Sequence, residues 1–130
     1  MKEEYLTIEM ANSLIHIAEQ VLREGDIEKY LHTIRESMIT SLKVGLYKLG
    51  LRPLYENTHR LYLQIPYTYR PSVGEPELEE FEFKYGIITS NLTKSIPVDE
   101  RFLNASKELA ERIYLWAESI VKACDGEMKK

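Results

Sequence analysis

The sequence predicts an all-α protein, an up-and-down bundle of four or five helices. Apolar residues recur at spacings of three and four over several long stretches, the period of one face of an α-helix. Those stretches begin at residues that cap helices and end at residues that stop them. Glycine and proline number only 6 and 5 in 130 residues, which disfavours a turn-rich β-sandwich.

The first helix is expected from about Glu4 to Glu24. Ile8, Ala11, Leu14, Ile15, Ala18, Val21 and Leu22 line one face of it. Gly25 supplies a left-handed stop, and Asp26 caps the next helix at once, so the two form an antiparallel hairpin. The second helix runs from about Ile27 to Leu49, with a stripe of Ile27, Tyr30, Leu31, Ile34, Met38, Ser41, Leu42, Gly45, Leu46 and Leu49. Ser37, Ser41 and Gly45 stand four apart, a small-residue face that serves either intramolecular helix packing or a dimer contact. Gly50 ends this helix and Pro53 prevents its restart.

Between Leu51 and Pro76 the pattern is least regular. Asn57 or Thr58 can cap a short helix ending before Pro66. Leu61, Leu63 and Ile65 also alternate, which leaves a short strand open over 60–65; the cap favours helix. Pro66, Pro71, Gly74 and Pro76 mark a loop. Pro76 then opens a fourth helix whose glutamates suit the positive end of the helix dipole. Leu78, Phe81, Tyr85, Ile88 and Leu92 form its stripe, with Gly86 a weak point. The run from Glu75 to Glu82 reads as a solvated face or an acidic docking surface.

Ser95 to Pro97 breaks the chain again. Asp99 caps a last helix reaching about Cys124, with Phe102, Ser106, Leu109, Ala110, Ile113, Trp116, Ala117, Ile120 and Cys124 as its buried stripe. Residues 1–124 are therefore expected to form one helical domain, and residues 125–130 a frayed tail.

Composition narrows the function classes. Hydrophobic residues at 44% and charged residues at 29% suit a globular chain rather than a disordered one. No apolar run approaches the roughly 18 residues of a membrane span. The N-terminus carries no apolar export region, so a cytoplasmic location is expected and the acceptor-like triplets at Asn91 and Asn104 are read as coincidence. The single cysteine, Cys124, excludes an internal disulfide and cannot by itself build a zinc site. No phosphate-binding glycine loop, metal-binding histidine pair or nucleophile turn is present, so no cofactor is expected. A net charge of -4 argues against a generalised nucleic-acid coat.

One stretch stands apart. From Tyr47 to Arg70 the chain carries Lys48, Arg52, Arg60 and Arg70 against only Glu56, with Tyr55, Tyr62, Tyr67 and Tyr69 interleaved. Aromatic faces beside arginines can stack bases and hold phosphates. His59 lies within this stretch and could serve acid–base chemistry. His16 and His32 read as structural or solvent-facing. The same tyrosines could simply fill the seam between a loop and a bundle.

The layout resembles the HEPN superfamily of small helical bundles. The resemblance rests on Leu22-Arg23-Glu24-Gly25-Asp26, then a long helix rich in small residues ending at Gly50. It continues through Thr58-His59-Arg60-Leu61, the loop Pro66-Tyr67-Thr68-Tyr69-Arg70-Pro71, and a closing amphipathic helix. It implies a nucleotide- or RNA-associated module, a homodimer, and a nucleotidyltransferase as partner. The ligand groove would gather Arg52, His59, Arg60, Tyr67, Tyr69 and Arg70. A metal-independent ribonuclease using Arg52 and His59 is the alternative the resemblance carries, although the last helix contains no histidine. A structural adaptor without a small ligand is the third reading.

Overall fold

The computed structural model describes residues 6–90 and 98–128, with side chains through Cys124. Within these residues the chain is 79% helical with five helices and no strand, an all-α bundle. The helices are α1 (Ile8–Arg23), α2 (Ile27–Lys48), α3 (Thr58–Gln64), α4 (Glu75–Thr89) and α5 (Glu100–Met128), with a 3₁₀ turn at Tyr67–Tyr69. No described helix is long and apolar enough to cross a membrane.

Local chemistry sets most boundaries. The Thr7 hydroxyl accepts the Met10 N–H at 3.3 Å and so caps α1 at Ile8. Both α1 and α2 end in the same motif. Gly25 and Gly50 take φ of 85° and 81°, and the residue after each glycine bonds back to the last turn, Asp26 N–H to the Val21 carbonyl and Leu51 N–H to that of Leu46. Asp26 also accepts the Lys29 N–H at 3.0 Å, so one residue closes α1 and opens α2. Asn57 accepts the Arg60 N–H at 3.0 Å, and residues 60–64 are helix rather than strand. Glu77 accepts the Gly74 N–H at 2.8 Å at the start of α4. That helix passes Gly86 and reaches Thr89.

Asp99 accepts the Arg101 N–H at 2.9 Å and α5 begins. The helix continues to Met128, beyond the expected end at Cys124. No proline interrupts it, and each added residue gains one backbone bond once the helix is nucleated. Tyr5 and the residues before it, Asn91 to Pro97, and the last two residues lie outside the described residues, and with them the expectations for Glu4, Asn91, Leu92 and Ser95–Pro97.

Helix α2 is the axis. The packing of α1, α5, α3 and α4 against it buries every residue from Ser37 to Leu46. The small-residue face is spent inside the molecule. The Ser37 hydroxyl donates to the Ala11 carbonyl at 2.8 Å, Ser41 is fully buried, and Gly45 lies under the indole of Trp116. A homodimer would need another surface. Trp116 itself is half-buried rather than buried, because it lines an open groove beside the turn after α3. The core runs from Ile15, Ala18 and Val21 through Leu31, Ile34, Met38 and Leu42 to Leu61, Phe81, Leu109 and Ile113.

Candidate functional site

The segment between α2 and α4 is held in place by its own polar contacts. The Gln64 side chain accepts the Leu54 N–H at 2.8 Å and donates to the Arg52 carbonyl at 3.0 Å. Leu61, Tyr62 and Ile65 sink into the core, and the Tyr62 hydroxyl donates to the Val73 carbonyl at 3.3 Å. These contacts fix the turn that carries Tyr67 and Tyr69.

The structure gives the basic and aromatic residues different jobs. Arg70 donates from Nε to the Ile65 carbonyl at 2.9 Å and from Nη2 to the Leu63 carbonyl at 3.3 Å. Its guanidinium lies 5.1 Å from the Tyr62 ring and 5.6 Å from the Tyr67 ring. Arg70 thus closes the C-terminal end of α3 and braces Tyr67. Tyr67 is 83% exposed and Tyr69 53% exposed. Arg60 is exposed and lies 5.7 Å from the Tyr55 ring. Arg52 is exposed and makes no ion pair among the described residues. His59 is turned toward α4, its Nε2 3.0 Å from Glu75 Oε1. Tyr67 and Arg70 are therefore in contact with each other, while no contact joins His59 to Arg52 among the described residues.

A shallow groove of about 340 Å³ lies between the turn and α5, lined by Arg70, Ser72, Arg112, Leu115, Trp116 and Ser119. The Trp116 indole N–H donates to the Tyr69 carbonyl at 2.6 Å, and an Arg112 Nη2 N–H donates to the Ser72 carbonyl. Of these residues the sequence pattern singled out only Arg70 as a site residue. Arg112, Leu115 and Trp116 stand three and four apart, so helical spacing could place them on one face. Nothing in that spacing says that residues 69–72 approach it.

A second polar cluster has no counterpart in the sequence pattern. Glu82 accepts from Arg35 Nε at 3.0 and 3.2 Å, from the Thr58 N–H at 2.9 Å and from the Thr58 hydroxyl at 2.6 Å. Arg35 also donates to the Glu56 carbonyl at 2.9 Å and lies 4.8 Å from the Tyr85 ring. Lys43, though nearly buried, pairs with Glu56. The Tyr85 hydroxyl meets His32 Nδ1 at 2.6 Å, and burial raises the Tyr85 pKa against the opposing pull of Arg35. The acidic run is thus not a uniformly solvated face. Glu82 is held inside, Glu75 meets His59, and Glu77 meets Arg112. The cluster ties α2, α3 and α4 together.

A hollow of about 380 Å³ between α4 and α5 has an apolar floor of Phe81, Phe102 and Leu109 beneath charges of both signs. No group of three or more histidine, cysteine or acidic side chains is placed to hold a metal ion among the described residues. No family model, curated protein or solved structure matches the chain.

Proposed function

We propose that this chain is a binding module for nucleotides or single-stranded RNA, with the Tyr67–Arg70 turn as its contact surface. The observation that carries the reading is the placement of Tyr67, 83% exposed yet braced on one side by the Arg70 guanidinium. An exposed ring that is already ordered offers a π-face to a base at low entropic cost, and stacking of this kind is tolerant of sequence. Arg52 and Arg60 are exposed nearby in sequence, Arg60 beside the Tyr55 ring, and can meet phosphates. The resemblance to the HEPN bundles agrees with this reading, and a nucleotidyltransferase partner belongs to the same proposal.

Fluorescence anisotropy with a labelled oligoadenylate tests it. Binding should weaken as salt rises, because each arginine–phosphate contact releases condensed counterions. Tyr67→Ala should cost about 1–3 kcal/mol of binding with little change in salt slope. Arg52→Ala should instead reduce the slope by roughly one. Absence of binding at low salt would overturn the reading in favour of a structural adaptor.

A further inference from the structure

We infer that the groove between residues 69–72 and α5 is a subsite for one phosphorylated nucleotide unit, with Arg112 as its phosphate donor. The inference rests on the reading of the tyrosine turn as a nucleotide-binding surface. It adds a residue and a ligand size that the basic stretch from Tyr47 to Arg70 does not supply.

The groove is two-sided. One side is the α5 face of Arg112, Leu115 (58% exposed), half-buried Trp116 and Ser119, which mixes apolar and polar side chains, and the other is Arg70 and Ser72 of the turn. A nucleotide likewise combines an apolar ring face with an anionic phosphate. The open groove measures about 340 Å³, so it can receive a single unit rather than a longer strand. Tyr69 joins the groove to the stacking surface through its carbonyl, which accepts the Trp116 indole N–H.

Among the cations of the groove, Arg112 is the better placed to serve a phosphate. Arg70 is committed to the Ile65 and Leu63 carbonyls. The Ser119 hydroxyl donates to the Trp116 carbonyl at 2.6 Å. Arg112 is anchored by one N–H on the Ser72 carbonyl, and its side chain is 48% exposed. Its other terminal nitrogen lies 3.4 Å from Glu77, well beyond the roughly 2.7–2.9 Å of a tight charged hydrogen bond. A phosphate can displace so loose a partner. The hollow between α4 and α5 lacks this bias, because Glu77, Glu80 and Asp99 there face Lys84 and Arg101.

The test is calorimetric titration of the full chain with AMP, adenosine and an adenylate hexamer, in parallel for wild type, Arg112→Ala, Glu77→Gln and Tyr67→Ala. AMP should bind at least tenfold more tightly than adenosine at low salt, and Arg112→Ala should abolish that difference. Glu77→Gln keeps an acceptor for the Gly74 N–H while removing the competing charge, so it should tighten binding a few-fold. It also decides the matter should Arg112→Ala fail to fold. A hexamer weakened by Arg112→Ala without AMP binding supports the subsite and identifies a nucleotide within a strand as its occupant. If the hexamer binds and responds to Tyr67→Ala, yet neither ligand responds to the changes at Arg112 and Glu77, the subsite is overturned and the stacking surface stands. If no ligand binds, both are overturned.

Discussion

Gly45 of α2 and Trp116 of α5 meet with no room for a single carbon between them. A Cβ built on Gly45 would lie 2.2 Å from Cη2 and 2.4 Å from Cζ3 of the indole. The two helices therefore approach at a point where only glycine fits. An alanine in a helix interior is normally worth about 1 kcal/mol over glycine. Overpacking a core typically costs about 1–3 kcal/mol, so Gly45→Ala should destabilise the protein in denaturant titration. Gly86→Ala, whose added methyl group would meet nothing within 4 Å at an ordinary φ, should instead stabilise by about 1 kcal/mol. Trp116→Phe, which lacks the outer edge of the indole, should recover part of the loss at Gly45→Ala in the double variant.

Arg70 is expected to act on stability before it acts on binding. Its two hydrogen bonds to the carbonyls of Ile65 and Leu63 close the end of α3, and removing charged donors of this kind costs about 2 kcal/mol. Arg70→Ala should lower the thermal midpoint, and Arg70→Lys should recover little of it, because an ammonium cannot reproduce the planar fork or its packing between two rings. Arg52→Ala should leave the midpoint unchanged. Equal midpoints for Arg52→Ala and Arg70→Ala would contradict the bracing role.

Removing Glu82 should be among the costliest single changes on α4. Its side chain is 13% exposed and that of Arg35 19%. Truncating one partner of a largely buried pair leaves the other charge unpaired, at a cost of about 3 kcal/mol or more. Glu82→Ala should approach that figure in urea titration. Glu82→Gln should cost less, since its carbonyl oxygen can still accept from Thr58. Glu79→Ala, at an exposed position of the same helix, should change stability by less than about 0.5 kcal/mol.

Tyr30 should make the protein sensitive to alkali. The ring is 1% exposed, its hydroxyl donates to the Leu103 carbonyl at 2.9 Å, and burial, reinforced by Glu19 and Glu111, pushes its pKa up to about 12. The native state then holds the phenolic proton more tightly than the unfolded chain does. Stability from this group is intact below pH 10 and falls as pH rises from 10 toward 12, by up to about 3 kcal/mol. Tyr30→Phe should flatten that part of the stability–pH curve, and an unchanged curve would place the alkaline loss elsewhere.

What the sequence determined by itself is local. Helix faces followed from spacing, and the stops at Gly25 and Gly50 and the caps at Asp26, Asn57 and Asp99 followed from the chemistry of single residues acting within three or four positions. The same periodicity identified the apolar stripe of α2 but not the burial of Ile39, Thr40, Lys43 and Val44 on its other sides. An apolar stripe reports one preferred face, whereas the number of helices that surround it is a property of the whole packing. Tertiary structure alone decided that Glu82 is paired with Arg35, that His59 turns to Glu75, and that Arg70 serves the backbone of α3. It also brought Arg112 and Trp116 beside the tyrosine turn. Charge in a sequence marks only the capacity to bind an ion, and the distance to a partner many residues away settles whether that capacity is spent inside the fold or offered to a ligand.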